Sequence, residues 1–140
     1  MRAEIKTGLM ALVLAGSTAA QDAALIQRGR EVYIAEGCIH CHSQYVRPGT
    51  RDEDWWGPAG SLPEMERQHP PLFGNRRQGP DLQNVGARRG EDWLRLQLQS
   101  PRVVMPGSRM PAYAHLFGTG SASRGDALVA YLLSLGRPAP

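Results

Sequence analysis

From Asp22 onward apolar side chains recur at a helical period. Leu25, Ile26, Val32, Tyr33 and Ile34 fall largely on one side of a helical wheel, and Gln27, Arg28, Arg30 and Glu31 fill the other. The pattern predicts a first helix that Gly37 closes, with Gly29 in its middle as a point of close approach to another element. A second helix is predicted over Glu91 to Ser100 (EDWLRLQLQS), opened by acidic residues and stopped by Pro101. A third follows Ser123-Arg-Gly-Asp126, which has capping-box spacing with Asp in place of Glu. It carries Leu128, Val129, Tyr131, Leu132 and Leu135 on its apolar side and Gly136 as its stop.

The segments between these helices hold no sustained period. Residues 46 to 90 are rich in Gly and Pro and read as a long ordered loop, with a helical turn near Pro63 to Gln68. Trp55, Trp56, Leu72 and Phe73 need burial, so something bulky and apolar is expected beneath that loop. Pro101 to Pro111 (PRVVMPGSRMP) has three prolines and a glycine and is expected to be extended. No segment alternates like a strand. The expected fold is mostly α, a few short helices joined by long loops.

The first twenty residues have a different character. Arg2 and Lys6 form a basic start, Gly8 to Gly16 is apolar, and Ser17 to Ala20 is a run of small residues. That is the layout of a secretory signal at residues 1–20, cleaved after Ala20, leaving a single domain at 21–140. The rival reading, a retained membrane anchor, is disfavoured because the uncharged stretch is shorter than the roughly 20 residues a span requires. Export predicts a periplasmic location, with the inner membrane reached through a partner or an uncleaved amino terminus. Loss of Arg2, Lys6 and Glu4 lowers the formal charge from +3 to +2. So small a charge, mixed with Asp52-Glu53-Asp54, points away from a nucleic-acid partner.

The chemistry is concentrated at Cys38-Ile39-His40-Cys41-His42, a C-x-x-C-H motif. Two thiols three residues apart can each add to one vinyl group of a haem, and the next residue can offer its imidazole to the iron. Zinc would need four ligands, and Cys38, Cys41 and one histidine leave the fourth unassigned. A redox dithiol would want a βαβ context, and it leaves His42 unexplained. A disulfide across so short a loop stabilises little. One covalent haem c, attached through Cys38 and Cys41 with His42 on the iron, is the favoured reading.

A six-coordinate iron needs a second ligand, for which Met105, Met110, Met65, His69 and His115 are candidates. Met105 and Met110 lie in the proline-rich loop before the last helix. A thioether favours ferrous iron and suits electron transfer, and Met110, followed by Pro111, is preferred. Gly79-Pro80-Asp81-Leu82 can orient the His42 ring through a carbonyl of Gly79 or Pro80.

With these residues the chain resembles a class I cytochrome c, and more narrowly the mono-haem subunit of cbb-type haem-copper oxidases. The match rests on CIHCHSQYVRP (38–48), GNRRQGPDLQNVGAR (74–88), DWLRLQL (92–98) and PRVVMPGSRMPAY (101–113). The resemblance implies the class I fold wrapped around its haem, attachment at Cys38 and Cys41, His42 as proximal ligand and Met110 as distal ligand. The family's subunit has an amino-terminal transmembrane helix, where this chain has a short signal-like segment. A built-in oxidase subunit and a free carrier therefore both stay open. Arg76 and Arg77 are candidates to bind the haem propionates, because guanidinium forks match carboxylates, and Trp56 is a further candidate through its indole N–H.

The expected work is electron transfer rather than catalysis by this chain alone. Its partners would be redox proteins such as a membrane-bound haem-copper oxidase or a cytochrome bc complex. The competing reading, a five-coordinate haem enzyme or ligand sensor, needs Met110 to leave the iron open.

Overall fold

The computed structural model describes residues 4–74, 76–118 and 122–136, with side chains from residue 18 onward. Arg2 of the signal reading lies outside these residues, as do the side chains of its apolar run.

The first helix, α1, spans Glu4–Ala35 and begins well before the expected Asp22. The reason is local: no proline occurs before Pro48, and the added residues are rich in Ala and Leu. Its 32 residues correspond to about 48 Å at 1.5 Å per residue. Among the described residues no helix is long and apolar enough to cross a membrane. Gly37 ends the helix in the left-handed region at φ 69°, its N–H bonding the Ile34 carbonyl at 3.0 Å.

The last helix, α7 (Arg124–Ser134), begins at the expected capping box. Ser123 accepts from the Asp126 N–H, and the Asp126 carboxylate accepts from the Ser123 N–H at 2.9 Å. α7 crosses α1 at Gly29. A methyl group there would run into the Ala127 carbonyl oxygen and would come within 2.6 Å of the Tyr131 Cβ. Glycine lets the two backbones touch, and Tyr33 and Tyr131 then pack with ring centroids 5.7 Å apart. Val32, Leu128, Val129 and Leu132 are buried around this contact, each side chain worth about 1.5–3 kcal/mol of apolar burial.

The intervening chain is more helical than its composition suggests. The turn near Pro63 is present as α3 (Leu62–Glu66), but α2 (Asp52–Trp56) and α4 (Val85–Arg88) also interrupt the loop. α5 (Glu91–Gln99) matches the expected second helix and packs against α7. Pro101 to Pro111 is not wholly extended. Its first residues form α6 (Pro101–Val104), because a proline at the first helical position loses no hydrogen bond there. Burial of the loop's large apolar side chains is uneven: Leu72 is buried, Trp56 and Phe73 are half-buried, and Trp55 stays 57% exposed. There is no strand among the described residues, and the fold is mostly helical.

Candidate functional site

α1 delivers its end to a 3₁₀ turn at Cys38–His40, and the His42 N–H bonds back to the Cys38 carbonyl at 3.0 Å. This short turn faces a cavity of about 330 Å³, close to the lower bound of the ~300–1,000 Å³ common for bound small molecules. The walls are mainly apolar, including Leu82, Val85, Trp93, Leu94, Leu128 and Leu132. Cys38, His42, Trp56, Pro80 and Met110 also line it. Cys41 does not; its Sγ lies 3.8 Å from the Gln78 Oε1. Both thiols are free.

His42 is held closely. Its Nδ1 is 2.8 Å from the Pro80 carbonyl oxygen. A carbonyl can only accept, so Nδ1 carries the proton and Nε2 keeps its lone pair. Burial pushes the imidazole below its ordinary pKa, while the Pro80 carbonyl and Asp81 act the other way. The balance favours the neutral ring that a metal requires. Gly79 lies against the ring: an added methyl would collide with Cε1 and come within 2.8 Å of Nδ1. Burial also raises the Cys38 thiol to about 11, which works against a redox thiolate at neutral pH.

Of the five candidates for a second ligand, the cavity wall includes Met110. Met105 is 64% exposed, and Met65 is buried elsewhere. His115 lies on the surface 3.8 Å from Glu36, and His69 is exposed. The Met110 loop is tied to α5 by the Tyr113 N–H, which bonds the Leu98 carbonyl at 2.8 Å.

The expected arginines are placed elsewhere. Arg76 is exposed and off the cavity wall. The Arg77 guanidinium bonds Asp52 at 2.6 Å, Ser43 at 2.6 Å and the Tyr45 carbonyl at 2.5 Å. Each of its three nitrogens is therefore bonded within the protein, and it meets the cavity wall by stacking 4.6 Å over the Trp56 ring. Arg88 and Arg89 line the cavity instead. Arg88 bonds the Asp81 carbonyl at 2.6 Å, and Arg89 stacks 4.7 Å from the Trp93 ring centre. Burial and the neighbouring Arg89 lower the Arg88 pKa, so an anion placed there would relieve both. Sequence reasoning passed over this pair, although two adjacent arginines seven residues beyond Asp81 were a signal. It also passed over Gln97, which lines the cavity beside Met110.

The residues present fit a covalently held haem. The motif thiols are free, a neutral imidazole is oriented by a carbonyl, and the ring presses against a glycine hydrogen where any side chain would clash. Fold and site together define a small helical domain of the cytochrome c type. A model of the family described as cytochrome c oxidase, mono-heme subunit/FixO matches residues 17–124, and the chain belongs to that family. The resemblance to the mono-haem subunit of cbb-type oxidases is thereby borne out, and with it a place in electron transfer. No curated protein matches the chain.

Proposed function

We propose that this chain is an electron-carrying or electron-entry subunit with one haem c, attached through Cys38 and Cys41 and ligated by His42 and Met110. The observation that carries the reading is the pairing of a carbonyl-oriented His42 and Met110 on the wall of one apolar cavity. Haem c supplies a one-electron ferrous–ferric couple when bound. The chain's own residues do the rest. Pro80 holds the His42 proton at Nδ1 and leaves Nε2 for the metal. The Leu and Trp side chains exclude water, and Arg88 and Arg89 provide the positive charge that carboxylates of a bound porphyrin would meet.

The partner in this reading is a membrane-bound haem-copper oxidase or another periplasmic redox complex, with residues 1–20 acting as an export signal cleaved after Ala20. The direct test is production in a host with cytochrome c maturation machinery, followed by denaturing electrophoresis with haem staining. Haem should stay with the wild-type band and be lost from the Cys38→Ala, Cys41→Ala double variant. A wild-type band without haem would end the proposal. Mass spectrometry of the same band locates the amino terminus, and an intact Met1 would refute cleavage.

A further inference from the structure

Tyr33 lines the cavity and is 1% exposed, and its hydroxyl has no hydrogen-bond partner among the described residues. Gln44 is 5% exposed, follows His42 by two residues and is not part of the cavity wall. Its Oε1 accepts from the Tyr131 hydroxyl at 2.8 Å, while its Nε2 has no partner among the described residues. The Tyr33 and Tyr131 rings pack with centroids 5.7 Å apart, so the three side chains form one buried cluster. Burial pushes the Tyr33 hydroxyl well above its ordinary pKa and the Gln44 amide acts the other way, which makes hydroxyl and amide close neighbours. Yet no hydrogen bond of good geometry joins them.

A buried donor left without an acceptor is costly, and two side by side call for a shared partner. Exchanging the amide oxygen and nitrogen of Gln44 does not supply one, because the two atom positions, and the gap to Tyr33, stay where they are. We propose that Tyr33 Oη and Gln44 Nε2 hold one buried water molecule between them, behind the cavity wall. The water oxygen accepts from the Tyr33 O–H and the Gln44 N–H. One of its hydrogens goes to the Tyr131 oxygen, whose own proton is given to Gln44. That makes about three hydrogen bonds, the usual number for a buried water. The consequence reaches the cavity. With its proton drawn back into this cluster, Tyr33 turns ring carbons to the cavity, and the wall there stays apolar. The site uses neither proposed metal ligand, so it stands whether or not Met110 ligates.

The test compares wild-type holoprotein with Tyr33→Phe, which removes the hydroxyl at nearly constant shape. Magnetic relaxation dispersion of the solvent water counts molecules held inside the protein for longer than it takes to tumble. The expected result is loss of one long-lived water in Tyr33→Phe, with a thermal midpoint no higher than wild type. The direction of the thermal shift separates the two cases. Deleting a hydroxyl that merely lacks a partner relieves a cost and raises the midpoint, whereas deleting one that holds a water does not. An unchanged dispersion, or a midpoint that rises, overturns the proposal. If Tyr33→Phe fails to fold, a crystal structure of the wild type decides. An ordered water within hydrogen-bond distance of both Tyr33 Oη and Gln44 Nε2 supports the site, and no water at that place refutes it.

Discussion

His42 and Met110 share one cavity but are held by different means. His42 is set in backbone: the Pro80 carbonyl takes its proton and the hydrogen of Gly79 presses on its ring. Behind Pro80, the fully buried Asp81 accepts from Ser43 at 2.5 Å and from the Tyr45 and Gln83 N–H groups at 2.8 Å. Arg77 joins that carboxylate to Asp52. Met110 instead hangs in a loop, tied by one serine hydroxyl, one glutamine amide and the backbone bond at Tyr113. The histidine side is over-determined and should respond to substitution by failing outright. The methionine side has fewer constraints and should respond by shifting.

The largest effect should come from Gly79→Ala. The new methyl must displace the His42 ring or move the Pro80 strap, and overpacking of this kind costs about 1–3 kcal/mol before any loss of metal binding. Most of the low-spin holoprotein should disappear, as measured by haem content and visible spectrum. A normal spectrum would show that the ring has more room than the backbone frame allows.

Asp52→Asn should cost about 1.5–3 kcal/mol in urea unfolding, since it removes a charged partner of the largely buried Arg77. Burial alone would raise the Asp52 carboxyl, but hydrogen bonds and charge from Arg77 and Arg47 hold it below its ordinary value. A carboxyl depressed in the folded state contributes stability that is complete above its unfolded pKa of about 3.9 and is lost as pH falls through the folded value. The variant should therefore lose less stability than wild type on acidification below about pH 4. Parallel acid profiles for the two proteins would break the link between this network and the histidine side.

The smallest of these effects belongs to the methionine side. Ser108→Ala removes one hydroxyl from the Met110 N–H and should cost only about 0.5–1.5 kcal/mol, with low-spin haem retained. Complete loss of the low-spin form would mean that the two sides are held equally firmly.

What was legible in the sequence was mostly local. C-x-x-C-H, Gly37 and the Ser123–Asp126 box each act within one turn of chain, and the residues that form them are neighbours. A close approach at Gly29 was legible because a glycine interrupts an otherwise helical run, and the fold makes α7 the element that approaches it. An orienting carbonyl for His42 was legible only as Gly79 or Pro80 once the motif had named the histidine, and the fold supplies it from Pro80.

What stayed hidden depended on distant partners. Arg77 turns from the cavity because Asp52, 25 positions earlier, reaches its guanidinium. Gln97 looks like the polar face of an amphipathic helix until the loop folds back and places Met110 against it. Pro101 read as a stop, yet it starts α6, since the residue type that ends one helix is also welcome at the first position of the next. The start of α1 was missed because a signal-like composition and a helix-forming one are nearly the same.

The central claim, that His42 and Met110 together ligate the metal, is tested most directly by the ferric absorption spectrum of the wild type beside Met110→Ala. The account predicts a low-spin spectrum with a far-red methionine–sulfur band in the wild type, and loss of that band with a shift toward high spin in the variant. A wild type that is already high-spin, or a band that survives in Met110→Ala, would contradict it.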